Sequence, residues 1–259
     1  MSTLIANPTG APGLIVERTQ APGWTSNAYL IADRPGGHGV FIDGNGVQQP
    51  LIDRAKQLGL TIDAVLVTHR HGDHIQGIED YVADFPGVAV LGSLPTAQEV
   101  PVDRLIGDGD VLHFGGLEIG VLRSEGHCAG QLAFVVNGTD VFSADTLFQG
   151  SVGGNFAPHN TGYADQRAAV LRLARLPAET VLHPGHTRPT TAGREWAHNP
   201  FIRIWRGLDP EGTEQVTVWD RPATLILWAP DYDGTHKAWV RFCDTGEDGI
   251  VGGSQVVRG

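Results

Sequence analysis

Residues 68–74 read Thr68-His69-Arg70-His71-Gly72-Asp73-His74 and follow directly on the apolar run Ala64-Val65-Leu66-Val67. A short unbroken apolar run bounded by polar residues predicts a buried strand, here Asp63 to Thr68. The loop that leaves this strand carries the imidazoles of His69, His71 and His74 and the carboxylate of Asp73. Packing gains nothing from such a set, and protonated imidazoles this close would repel. Nitrogen and oxygen lone pairs delivered to one point suit a cation, so the stretch predicts a metal site, with the remaining ligands supplied downstream.

Composition bounds what surrounds that site. A chain of 259 residues with 41% hydrophobic content can bury a large core, as one α/β domain or as one domain with an appendage. A formal charge of −11 without a Lys/Arg cluster provides no footprint for a phosphate backbone, which disfavours nucleic-acid partners and metal-dependent nucleases. Cys128 and Cys243 are too few for a disulfide framework and are expected as reduced thiols. No run is long enough to cross a bilayer, and Met1 to Gly23 lacks a basic start followed by a long apolar core, so no membrane partner and a cytoplasmic location are expected.

Outward from the cluster, Leu14 to Glu17, Asn27 to Ala32 and Val40 to Ile42 read as strands, and Val47 to Leu58 has helical spacing with Gly59 as its stop. After the cluster, Ile75, Ile78, Val82 and Phe85 predict one helix ending at Pro86-Gly87, which puts His74 at or beside a helix N-terminus. Strands then follow at Val88 to Leu91, Val111 to Phe114, Leu117 to Arg123, Gln131 to Asn137 and Val141 to Ala144, with a helix over Ala164 to Ala174. More candidate ligands stand where these strands end: His127 in a Gly-flanked loop, Asp145 directly after Val141 to Ala144, and His186 in His183-Pro184-Gly185-His186. Loops on a rigid scaffold are where chemistry is mounted. His38, His113, His198 and His236 stand alone and are left as surface or core residues; Asp43 reads as a turn former.

With these residues in place the chain resembles the metallo-β-lactamase superfamily, the αββα metallohydrolases, and most nearly its glyoxalase II-like (hydroxyacylglutathione hydrolase-like) branch. The family's His-x-His-x-Asp-His signature stands as HRHGDH at 69–74, its Gly-His loop as EGHCAG around His127, its aspartate as ADTLF with Asp145, and its last histidine as HPGHT with His186. The resemblance implies an α/β four-layer αββα sandwich over about residues 1–210. It implies that His69, His71 and His127 hold one divalent metal, that Asp73, His74 and His186 hold a second, and that Asp145 bridges them. Zn(II) suits this imidazole-rich set, and Fe or Mn also fits. A water made acidic between two such cations would be the nucleophile, with Asp73 orienting it.

The expected reaction is hydrolysis of a small-molecule thioester, because a thiol with pKa near 8.5 leaves without a general acid; an ester or lactone comes next. Two alternatives stay open: a mononuclear iron oxidoreductase of the persulfide dioxygenase type, and a non-catalytic metal-containing scaffold that binds a partner protein. Glyoxalase II-like enzymes that take glutathione thioesters carry basic residues and tyrosines shortly after ADTLF. Here GSVGGNFAPHNTGY holds no Lys or Arg between Asp145 and Asp165, so no carboxylate clamp is expected there. Asn155, His159, Asn160 and Tyr163 are the candidate substrate contacts of that loop. The resemblance ends before residues 211–259, where Val216 to Trp219, Thr224 to Trp228, Ala238 to Phe242 and Ile250-Val251 predict a small β-rich extension. Trp205, Trp219, Trp228 and Trp239 in and before it serve either core packing or a homodimer contact.

Overall fold

The computed structural model describes residues 3–259. Seven strands form the first sheet in the order Ile5–Ala6, Ile15–Gln20, Asn27–Ala32, His38–Ile42, Thr61–Leu66, Ala89–Gly92 and Arg104–Leu105. Six form the second, in the order Thr190–Thr191, Val181–Pro184, Asp140–Ala144, Leu132–Val136, Leu117–Arg123 and Val111–Phe114.

The period of two along a strand explains how they stack. In Asn27–Ala32, Tyr29 and Ile31 turn toward the second sheet and join a core with Val40, Ile42, Leu66, Ile119, Phe134 and Phe142. Ala28, Leu30 and Ala32 turn the other way, onto Leu51, Ile52 and Ala55 of the helix Gln49–Gln57 and onto Ile78 and Tyr81 of the helix Ile78–Asp84. A strand covered on both faces is apolar on both, which is why Ala28 to Ala32 does not alternate with polar residues. The outer face of the second sheet repeats the arrangement: Ala133, Val141 and Leu182 lie under Val170 and Leu173 of the helix Tyr163–Ala174 and under Phe201 and Ile202 of the helix Pro200–Trp205. The result is the expected four-layer αββα sandwich.

Three features depart from the sequence expectation or extend it. The single helix expected from Ile75 to Phe85 is two, Gly72–Ile75 and Ile78–Asp84, divided at Gln76 and Gly77. Gly77 has φ 82°, and a Cβ there would sit 1.6 Å from the amide nitrogen of Gln48, which donates to the Gly77 carbonyl at 2.8 Å. Only glycine fits, and the break frees the first turn to aim Asp73 and His74 on its own. The helices Ala192–His198 and Pro200–Trp205 were too short to register as periods; Asn199 caps the second by accepting from Phe201 N at 3.1 Å and Ile202 N at 3.4 Å, ahead of Pro200.

The C-terminal strands make a third sheet, entirely antiparallel, in the order Asp248–Gly252, His236–Phe242, Arg221–Pro230, Glu214–Val218 and Val256–Arg258. It folds on a small core of its own, with Val216, Leu225, Val240, Phe242 and Val251. It docks on the outer helical layer through Ile226, Ala229, Trp239 and Ile250. Trp239 is therefore core, whereas Trp219 is 44% exposed. Among the described residues no helix is long and apolar enough to cross a membrane.

Candidate metal centre

The strand Thr61–Leu66 is parallel to both its neighbours, so its carboxyl end opens at a sheet edge where loops diverge, a usual place for a site. Thr68 is fixed there by Asp43, whose carboxylate accepts from Thr68 N at 2.8 Å and from Thr68 Oγ1 at 2.7 Å. From this anchor the chain presents His69, His71, Asp73 and His74. The second sheet delivers the others: His127 from the loop between Leu117–Arg123 and Leu132–Val136, Asp145 after Asp140–Ala144, and His186 after Val181–Pro184. Gly185 lets the last strand pass this point, since a Cβ there would lie 2.1 Å from Asp145 Oδ1.

All seven predicted ligands converge. Ligand atoms of His69, His71 and His127 lie within 4.8 Å of one another, as do those of Asp73, His74 and His186 and those of His69, His74 and Asp145. Asp145 stands between the two triads, with Oδ1 3.4 Å from His74 Nε2 and Oδ2 3.4 Å from His127 Nε2 and 3.2 Å from His186 Nε2. Asp73 Oδ2 is 3.6 Å from both His74 Nε2 and His186 Nε2.

The hydrogen bonds on the outer side of the cluster fix which ring nitrogens carry protons. His127 Nδ1 donates to the Gly154 carbonyl at 2.7 Å and His71 Nε2 to the Pro158 carbonyl at 2.9 Å. His69 Nδ1 donates to Thr68 Oγ1 at 3.0 Å, that hydroxyl having spent its own proton on Asp43; His74 Nδ1 donates to Asp43 Oδ2 at 2.9 Å. Each of these four rings, when neutral, is left with a bare lone pair pointing inward. His71 Nδ1 consequently faces His69 Nε2 at 3.1 Å and His127 Nε2 at 2.9 Å with no proton to share. His74 Nε2 and Asp145 Oδ1 are buried without a hydrogen bond among the described residues. Lone pairs opposed in this way repel unless a cation lies between them, and metal–nitrogen distances of about 2.0–2.1 Å suit such spacing. The donor set fits a pair of divalent metals.

Electrostatics agree. Burial holds His69 well below the ordinary imidazole value and pushes His127 down to about 4, so both offer free lone pairs at neutral pH. Burial opposes protonation of His74 too, yet Asp145, Asp43 and Asp73 together raise it well above that value. Burial would raise Asp145, but His186 and His74 hold it well below the usual carboxylate range. Cys128, next to His127, is fully buried and its thiol is pushed up to about 11 by burial, so it fills space.

The loop after Asp145 contributes differently from the sequence expectation. Asn155 turns to the third sheet, its side-chain oxygen accepting from Ile250 N at 2.6 Å. Tyr163 accepts from Trp205 Nε1 at 2.7 Å and packs on Trp239. His159 and Asn160 are exposed, and Asn160 donates to the Ala157 carbonyl at 3.0 Å within its own turn. What this loop brings to the cluster is main chain, the carbonyls of Gly154 and Pro158. Sequence reasoning had no means to find these, nor Tyr232, which stacks on His186 from the third sheet. Asp43 was visible as a residue at a strand end, but its partners, Thr68 and His74, were not.

Comparison with known proteins supports the same conclusion. The family model described as "Metallo-beta-lactamase superfamily" matches residues 21–93 and 76–186. A hydroxyacylglutathione hydrolase from Tolumonas auensis is 34% identical over 161 residues, 61% of this chain and 60% of that protein, so the chain spans about 60% of the length of that relative. Another, from Chromohalobacter salexigens, is 31% identical over 251 residues, covering 80% of this chain and 96% of that protein. Among solved structures, ETHE1 from Myxococcus xanthus superposes with a TM-score of 0.66 at 27% identity, covering 75% of this chain and 91% of that one. The motif order, the sandwich and these matches agree: the chain belongs to the metallo-β-lactamase superfamily, in its glyoxalase II-like branch.

Proposed function

We propose that the protein is a dinuclear metal-dependent hydrolase that cleaves a small thioester, with esters or lactones as the next class. The observation that carries this reading is the convergence of two carboxylates with imidazoles whose outer hydrogen bonds leave bare nitrogens turned toward one another. His69, His71 and His127 would hold one metal, Asp73, His74 and His186 the other, and Asp145, which faces both triads, would serve each. Bound there, two divalent cations would make a water acidic enough to act as nucleophile at neutral pH and would polarise a carbonyl. Asp73 is the less buried carboxylate, its side chain 16% exposed, and would orient that water from the open side. A thiol leaving group needs no protonating residue.

Zn(II) is the proposed metal, on its preference for imidazole, with Fe or Mn as substitutes. The absence of Lys and Arg between Asp145 and Asp165 favours a thiol without carboxylates over glutathione. Similarity to hydroxyacylglutathione hydrolases supports the hydrolytic chemistry. A mononuclear iron oxidoreductase would employ one triad and leave the second set of bare ligands without work. Metal analysis with a thioester panel on wild type and Asp145→Ala tests the proposal. Two metals per chain and turnover in the wild type, both lost in the variant, are expected. Intact turnover in Asp145→Ala refutes it, and oxygen uptake with a thiol persulfide and one iron per chain would replace it.

A further inference from the structure

The hydrogen-bond pattern around the cluster has one gap. Four imidazoles have their outer nitrogen held by an oxygen, whereas His186 Nδ1 is buried with no partner among the described residues. Beyond the 3.2 Å contact of its Nε2 with Asp145 Oδ2, what holds this ring is aromatic. Tyr232 lies flat on it, centroids 4.3 Å apart and planes 12° from parallel, and Phe148 meets it edge-on at 5.6 Å. Phe148 and Tyr232 also meet each other edge-on at 5.3 Å, which closes a three-ring cluster.

Tyr232 does not belong to the sandwich. It sits at the turn between Arg221–Pro230 and His236–Phe242 of the third sheet. That turn is pinned: Asp231 pairs with Lys237 at 2.8 Å, both side chains at most 9% exposed, and accepts from Ser151 Oγ at 2.9 Å in the loop after Asp145.

The same sheet reaches the other triad by a separate route. Asn155 is tied to Ile250 twice, accepting from its N–H at 2.6 Å and donating from its own N–H to its carbonyl at 3.1 Å. Phe156 packs against Trp219 and Phe242 at 4.9 and 5.9 Å. These contacts hold the loop whose carbonyls, Gly154 and Pro158, orient His127 and His71.

We propose that the C-terminal sheet positions the imidazoles of both metal triads: Tyr232 is the positioning residue for His186, and the Asn155–Ile250 pairing holds the loop that orients His127 and His71. The inference rests on the two-metal reading of the cluster and is independent of the substrate. Hydrogen-bonded outer partners of ligating imidazoles are worth about 10–100-fold in metal affinity, and an effect on that scale is expected of the ring that lies flat on His186.

The test uses the full chain loaded with zinc, titrated with a competing chelator, and then loaded with cobalt, whose visible absorption reports ligand geometry. Tyr232→Ala should release one of the two metals about 10–100-fold more readily, while Tyr232→Phe, which keeps the ring, should behave as wild type. Asn155→Ala should weaken one metal by a similar factor and alter a different part of the cobalt spectrum. Wild-type affinity for both metals in Tyr232→Ala and Asn155→Ala overturns the proposal. So does loss of both metals together in step with a lowered melting temperature, because the sheet would then be only a stabiliser. A wild type that holds two metals and hydrolyses no thioester would defeat the function proposed above and leave this inference standing.

Discussion

Replacing Asp43 by Asn separates the tautomer argument from ordinary packing. The carboxylate accepts three hydrogen bonds, with Oδ1 taking Thr68 N–H at 2.8 Å and Oδ2 taking Thr68 Oγ1 at 2.7 Å and His74 Nδ1 at 2.9 Å. Asn has the same shape and tolerates the left-handed backbone at this position, where φ is 60°. With the amide oxygen on Thr68 N–H, the NH2 group faces both Thr68 Oγ1, which can turn to accept from it, and His74 Nδ1. That nitrogen must then accept, and the ring proton moves to Nε2, into the cluster. With the amide reversed, Thr68 N–H is left buried and unpaired at a cost of about 1–3 kcal/mol. The first outcome removes one metal ligand. We expect one of the two metals to bind about 10–100-fold more weakly, or ~1.4–2.7 kcal/mol, while the far-ultraviolet circular dichroism stays native. Metal content after dialysis against graded chelator is the assay. Two metals retained at wild-type affinity in Asp43→Asn would show that Asp43 does not set the protonation of His74 and would undo the chain of reasoning from outer partner to bare lone pair.

Gly185→Ala places a methyl group 2.1 Å from Asp145 Oδ1, so either Asp145 moves or the strand does; stability should fall by about 1–3 kcal/mol with loss of bound metal, read by thermal melting and metal analysis. A pH effect follows from His183, fully buried, whose Nε2 donates to Asp140 Oδ1 at 2.9 Å. Burial lowers the imidazole below its ordinary value, so below pH ~6.5 the unfolded chain takes up a proton that the folded one resists, and stability present above that pH drains as pH falls. Asp140, held low by His183 against the opposing effect of burial, adds to the same trend at lower pH. Melting temperatures of wild type and His183→Gln, both in chelator, should show a shallower acid slope in the variant, and equal slopes would contradict the assignment.

Local pattern was enough for the fold class and for picking out the seven side chains that converge, because a buried strand and the residues at its end are encoded next to each other. An apolar run long enough for one buried strand followed by HRHGDH allows few readings, and the later His127, Asp145 and His186 each stand where a strand stops. Whatever depends on residues meeting across the chain was set by the packing of distant segments. Asp43 looked like a turn former until Thr68 and His74 were seen to close on it, and the helix expected from Ile75 was broken because Gln48 occupies the space a side chain at position 77 would need. Tyr232 lies far along the chain from His186, in a turn of a sheet whose alternating pattern says only that it is a sheet, and yet its ring covers that imidazole. Periodicity and motif spacing record what a segment does with its own neighbours. Which oxygen holds the back of an imidazole, and which ring lies on its face, is set by packing between segments, and no pattern within either segment carries that information.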